Sequence, residues 1–205
     1  MPTHLLAPPS SPSLQKLAAR AAVRADAMGL LPDRAELSVS RPEEAASTLT
    51  LVLDSARGEG IGRALTVPAG STSEERWEGF ILELLDALEE SPLPRKEWVG
   101  LERMLGADLL ASLIGVSPSS LRRYASGTRD TPDDVAARLH FLALVVGDLA
   151  GSYNDIGVRR WFMRRRTQLS GQTPADLLQG SWDPEEEGPQ QVRRLAAALL
   201  GAPAT

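Results

Sequence analysis

ADLLASLIGVSPSSLRRYASGTRDTP, residues 107–132, is the stretch on which the fold of the second half turns. A DNA-reading helix–turn–helix needs a small residue where its helices cross, a glycine at the turn and an apolar anchor on the second helix, at fixed spacing. Counted from Ala107, Ala111 falls at the fifth position, Gly115 at the ninth and Leu121 at the fifteenth. Leu110, Ile114 and Val116 supply flanking core contacts. Ser117 caps the second helix, and Pro118 sits in its first turn, where a missing N–H costs nothing. The outward positions are then Ser117, Ser119, Ser120, Arg122 and Arg123, with Arg129 just beyond. Arginine can grip guanine O6 and N7 bidentately or hold a phosphate, and serines near a helix N-terminus suit either. These six residues are the expected contacts to double-stranded DNA. The same letters also describe a helix corner with solvated arginines, and the base that would be read stays open.

Charge is distributed to match. The chain of 205 residues has a formal net charge of −5, which argues against a generic polyanion binder. The average hides a basic middle: residues 115–170 carry 9 basic and 5 acidic side chains, whereas residues 1–114 carry 11 and 17 and residues 171–205 carry 2 and 5. A local patch matters more to a polyanion than the total. The absence of cysteine excludes disulfides, thiolate metal sites and a thiol nucleophile. His4 and His140 stand alone, so no metal or other cofactor is expected. GEGIG at 58–62 lacks both the strand–turn–helix context of a dinucleotide loop and the lysine of a P-loop. The expectation is a binding protein and not an enzyme. No apolar run nears a membrane span and no signal peptide opens the chain, so a cytoplasmic protein with no membrane partner is expected.

The expected fold class is mainly α: a multi-helix domain with the helix–turn–helix, plus a small N-terminal α+β module containing one β-hairpin. Residues 1–13, rich in Pro and Ser, are expected to be loosely attached. Residues 14–94 form the N-terminal module, a candidate oligomerisation unit. LQKLAARAAVRADAMG opens it as a helix with Leu14, Leu17, Ala21 and Met28 near one side. TLTLVLDS and RALTVP read as two strands joined by GEGIG. Trp77, Phe80, Ile81, Leu84, Leu85 and Leu88 then make a helical stripe, and SPLPR is a linker. The DNA-binding domain spans 95–152 and a C-terminal domain 153–205. Thr131-Pro132 reads as a helix start, and the helix that follows is apolar all round from Leu139 to Leu149, hence central to a core. SWDPEEEGPQ reads as a flexible acidic link to the last helix.

From Arg159 the chain resembles the C-terminal toxin-binding domain of the Xre/MbcA/ParS antitoxin family. A Trp-containing helix end is followed by a G-x-x-P-x-x-L-L segment closed by a glycine, here Trp161, Gly171, Pro174, Leu177, Leu178 and Gly180. An Xre-like helix–turn–helix precedes this segment in the family, as it does here. The resemblance covers about a hundred residues, from Glu102 onward. It implies a dimeric, DNA-binding antitoxin that represses its own operon and neutralises a RES-type, NAD-consuming toxin. Trp161, Arg165, Pro174, Leu178 and Gly180 are the contacts it implies for the toxin. The chain departs from the family in its more basic MRRRTQ stretch, its acidic SWDPEEEGP insert and its first hundred residues. A stand-alone transcriptional regulator on the same fold is the alternative.

Overall fold

The computed structural model describes residues 11–32, 42–68, 71 and 73–200. Among them every regular element is helical, and no single helix is long and apolar enough to cross a membrane. The chain divides into two compact units. One comprises Met1–Asp26 and Leu30–Ser91, the other Ala27–Gly29 and Pro92–Thr205. The expected loose stretch 1–13 lies mostly outside the described residues, while Pro12 and Ser13 open the first helix.

The first unit contains α1 (Pro12–Ala27) except its last residue, α2 (Pro42–Gly58) and α3 (Glu74–Glu89). The expected β-hairpin is a misreading: residues 48–55 lie inside α2, and residues 65–68 follow the turn without strand pairing. The reason is a contest between two periods. Alternation in TLTLVLDS puts Leu49, Leu51 and Leu53 on one face, as a strand requires. A helix instead gathers Ala45, Ala46, Leu49, Val52, Leu53 and Ala56, and these six are buried while Leu51 is 37% exposed. The β preference of Thr and Val spans only about 1 kcal/mol, whereas each buried aliphatic side chain contributes about 1.5–3 kcal/mol. The helical stripe wins. Thr50 fits by donating its hydroxyl to the Ala46 carbonyl at 2.9 Å. GEGIG is a turn, with Gly60 and Gly62 at positive φ. The α3 stripe, from Trp77 to Leu88, is buried as its period requires. Between α1 and α3, the buried Arg24 donates to the Leu85 carbonyl at 3.5 Å and the Glu89 carboxylate at 3.1 Å.

The second unit is built around α7 (Asp133–Ala150), in which every residue from Leu139 to Leu149 is buried. α4 (Pro94–Leu105) and α10 (Glu187–Ala197) make its most extensive contacts. α5 (Ala107–Ile114), α6 (Pro118–Ala125), α8 (Asp155–Met163) and the single turn α9 (Pro174–Leu177) complete it. Residues 95–152 and 153–205 thus share one compact unit. A buried polar pair joins α4 to α7: Glu97 Oε1 lies 2.5 Å from His140 Nδ1, and Glu97 Oε2 has no hydrogen-bond partner. Thr131, read as a helix cap, does something else. Pro132 occupies the N-cap of α7 without a side-chain bond, and the Thr131 hydroxyl accepts the indole N–H of buried Trp98 at 3.0 Å.

Two outcomes follow. Leu53→Ala is expected to cost about 2–5 kcal/mol in chemical denaturation, and Leu51→Ala within about 0.5 kcal/mol; a hairpin would make the two losses alike. His140→Ala leaves the Glu97 carboxylate buried and alone, at a cost of about 3–5 kcal/mol. The double change Glu97→Leu with His140→Leu is expected to be more stable than His140→Ala, and a double variant as unstable as the sum of its singles would refute the coupling.

Candidate nucleic-acid interface

Helix α5 ends because Gly115 adopts the left-handed conformation, φ 77° and ψ 33°. The N–H groups of Gly115 and Val116 both reach the Ala111 carbonyl, each at 3.0 Å, closing a Schellman-type turn. Ser117 then caps α6, its hydroxyl accepting the Ser120 N–H at 3.1 Å, and Pro118 occupies the first turn. Leu121 and Tyr124 face the core. Ala111 and Leu121 are buried, as the helix–turn–helix spacing requires. The local chemistry therefore builds two short helices about a glycine turn, with one face of α6 outward.

On that face Ser117, Ser119, Arg122 and Arg123 are exposed, Ser120 is half-buried, and Arg129 is exposed beyond the helix. The serines are already engaged. Besides its capping bond, the Ser117 hydroxyl pairs with that of Ser119 at 2.9 Å and donates to that of Ser120 at 3.0 Å. They shape the start of the helix, and the arginines carry the charge. Arg122 Nε donates to the Pro118 carbonyl at 3.3 Å and Arg123 Nε to the Ser119 carbonyl at 3.4 Å, laying both side chains along the helix. Arg129 rests its guanidinium 5.5 Å from the centre of the Tyr124 ring. Ser126 continues the face at helical spacing from Ser119 and Arg122, and its hydroxyl pairs with that of Thr128 at 2.8 Å. Carrying the i, i+3, i+4, i+7 period past Arg123 finds Ser126 in the sequence.

The five residues implied for a toxin separate into two groups. Trp161, Pro174 and Leu178 are buried; Arg165 and Gly180 are exposed. Trp161 packs edge-to-face on Phe162 at 5.2 Å and carries the Arg166 guanidinium 5.4 Å above its ring. Burial lowers the pKa of Arg166, with Tyr153 opposing and the charge of Arg164 adding to the shift. Arg165 donates to the Gly171 carbonyl at 3.4 Å. Thr173 and Asp176 form a reciprocal capping box that starts α9, and the bonds from Thr173 hold the Asp176 carboxyl below its ordinary value.

This turn meets the helix–turn–helix directly. An ideal Cβ on Gly115 would stand 2.1 Å from the Gly180 carbonyl oxygen. Two residues on, Trp182 is buried, packs edge-on to Phe141 at 5.2 Å and donates its indole N–H to the Leu113 carbonyl at 2.8 Å. Its own carbonyl accepts from Arg138 at 3.3 Å. The acidic stretch is thus anchored at its first aromatic. A lone tryptophan among acidic residues was the available signal, since so large an apolar group is rarely left in water.

Comparison with known proteins returns no match, whether to a family model, a curated protein or a solved structure. The antitoxin resemblance therefore rests on the residues of this chain alone.

Gly115→Ala and Gly127→Ala make a matched pair. Both glycines have positive φ, 77° and 69°, but a Cβ on Gly127 meets nothing within 4 Å. Gly127→Ala is expected to lose about 1–2 kcal/mol for the backbone alone, and Gly115→Ala clearly more. Equal unfolding midpoints in urea would remove the Gly115–Gly180 contact from the account.

Proposed function

We propose that this chain is a cytoplasmic DNA-binding antitoxin that acts as a homodimer. It represses its own operon and neutralises a RES-type, NAD-consuming toxin by direct binding. The observation that carries the DNA half is the outward face of α6, where Arg122 and Arg123 stand exposed on a helix whose turn, cap and core anchors match a recognition helix. A basic face on an acidic protein fits a phosphate-rich partner, because local potential governs association. The toxin half is supported by the segment from Trp161 to Gly180, of which Arg165 and Gly180 are open to a partner.

A second reading, a stand-alone transcriptional regulator, has its own observation behind it. Trp161, Pro174 and Leu178 lie in the core, and a protein using this fold without a toxin would keep them for packing alone.

The DNA half is tested by titrating the duplex upstream of the protein's own gene with the wild-type chain and with Arg122→Ala/Arg123→Ala. Each arginine on a base edge is expected to contribute about 1–3 kcal/mol, and each on a phosphate about one unit of salt slope. Unchanged affinity and slope in the double variant would sink the assignment of α6. The two readings divide on the neighbouring gene. Co-purification with an adjacent RES-type protein, weakened by Arg165→Glu, supports the antitoxin; a neighbourhood without such a gene favours the regulator.

A further inference from the structure

We infer that a cleft beside α6 is a second DNA-backbone site, taking one phosphodiester phosphate between Arg95 and Arg129. The inference rests on the DNA-binding reading and adds a residue from outside the helix–turn–helix. The cleft has a volume of about 220 Å³ and is lined by Arg95, at the start of α4, together with Tyr124, Arg129, Asp130 and Thr131. That is below the roughly 300–1,000 Å³ of small-molecule sites. The space fits a single anionic group with its hydration better than a whole cofactor.

Its electrostatics select the sign. Two arginines and one acidic residue, Asp130, line the cleft. Arg95 stands in the first turn of α4, whose positive dipole end adds to the favourable potential for an anion. The part of the lining formed by Tyr124, Arg129 and Thr131 is held by contacts within the protein. Tyr124 stacks on buried Trp98 with ring centres 5.9 Å apart and planes 19° apart, and Arg129 lies over the same tyrosine. Trp98 in turn holds Thr131. Preorganised donors of this kind bind with little ordering cost.

The source of the phosphate follows from position. The Arg129 N–H donates to the Arg123 carbonyl at 3.1 Å, so the arginine in the cleft is pinned to the last turn of the helix that carries Arg122 and Arg123. A duplex laid on α6 brings its backbone past the helix ends, where phosphate contacts fix register without reading sequence.

The experiment measures binding of the upstream duplex and of a scrambled duplex between 50 and 200 mM salt, conditions over which about 0.9 of log–log slope is lost per phosphate contact. Arg95→Ala and Arg129→Ala are each expected to remove about that much slope, equally on both duplexes. Arg95→Lys, which keeps the charge, is expected to restore it, and Arg76→Ala on α3 to leave it unchanged. All three side chains, Arg76, Arg95 and Arg129, are exposed, and circular dichroism checks that the variants keep their helix content. Full slope in Arg95→Ala and Arg129→Ala, with slope lost in Arg122→Ala/Arg123→Ala, overturns the cleft and leaves the DNA reading standing. A wild-type chain that binds neither duplex overturns both. Inorganic phosphate that titrates into the wild-type chain but not into Arg95→Ala, with slope unchanged in that variant, assigns the cleft to a free anion and overturns the backbone site.

Discussion

The indole N–H of Trp182, donated to the carbonyl of Leu113, holds the second unit in the form it has. Leu113 lies in the last turn of α5, whose final carbonyls have no partners within the helix. An eight-residue helix is far too short to persist by itself. One of its open carbonyls is closed from 69 residues away by a side chain that also packs on Phe141 of α7. Arg138, on the same helix as Phe141, bridges the Asp134 carboxylate at 2.7 Å and the Trp182 carbonyl. The helix–turn–helix is therefore finished by residues that follow it in the chain by more than fifty positions, and the Gly115–Gly180 approach comes from the same closure.

Periodicity made most of this unit legible. The helix around Leu139–Leu149 declares itself by being apolar on all sides, and Gly115, Ser117 and Pro118 declare a turn by their chemistry. Where two periods coexist, as in residues 48–55, the sequence alone does not choose. Leu49 and Leu53 satisfy both patterns; only the fate of Leu51 and Val52 separates them, and that depends on what α2 packs against. Thr131-Pro132 failed for a different reason. The hydroxyl that would have capped α7 was claimed by Trp98, a residue 33 positions earlier. Trp182 and the Glu97–His140 pair belong to the same class: each is a single residue whose partner is remote, and no local pattern points across such a distance.

The basic middle block also means less, and more, than its count. Of its arginines, Arg138 bonds Asp134 and the Trp182 carbonyl, Arg159 donates to the Met104 carbonyl at 2.9 Å, and Arg166 covers Trp161. Arg138 and Arg159 spend their guanidiniums on internal acceptors, and Arg166 spends its own on an aromatic face. Arg122, Arg123, Arg129, Arg160, Arg164 and Arg165 are left exposed. The first three cluster at α6 and the loop after it; the last three mark the end of α8, beside the exposed Met163. A charge tally gives one basic block, while the fold resolves it into a structural set and an outward set with different work to do.

The backward bonds of Arg122 and Arg123 limit what these two side chains can say. A guanidinium can meet a planar pair of acceptors side-on, through Nε and one terminal nitrogen, or end-on, through both terminal nitrogens. With each Nε–H donated to a carbonyl one helical turn earlier, the side-on edge is engaged and the end-on edge is the one left for a partner. Each arginine thus offers a single two-pronged fork, already extended, with fewer rotamers to lose on contact. What α6 offers is narrow: two forks on adjacent residues, each with the geometry to meet two acceptors lying in one plane.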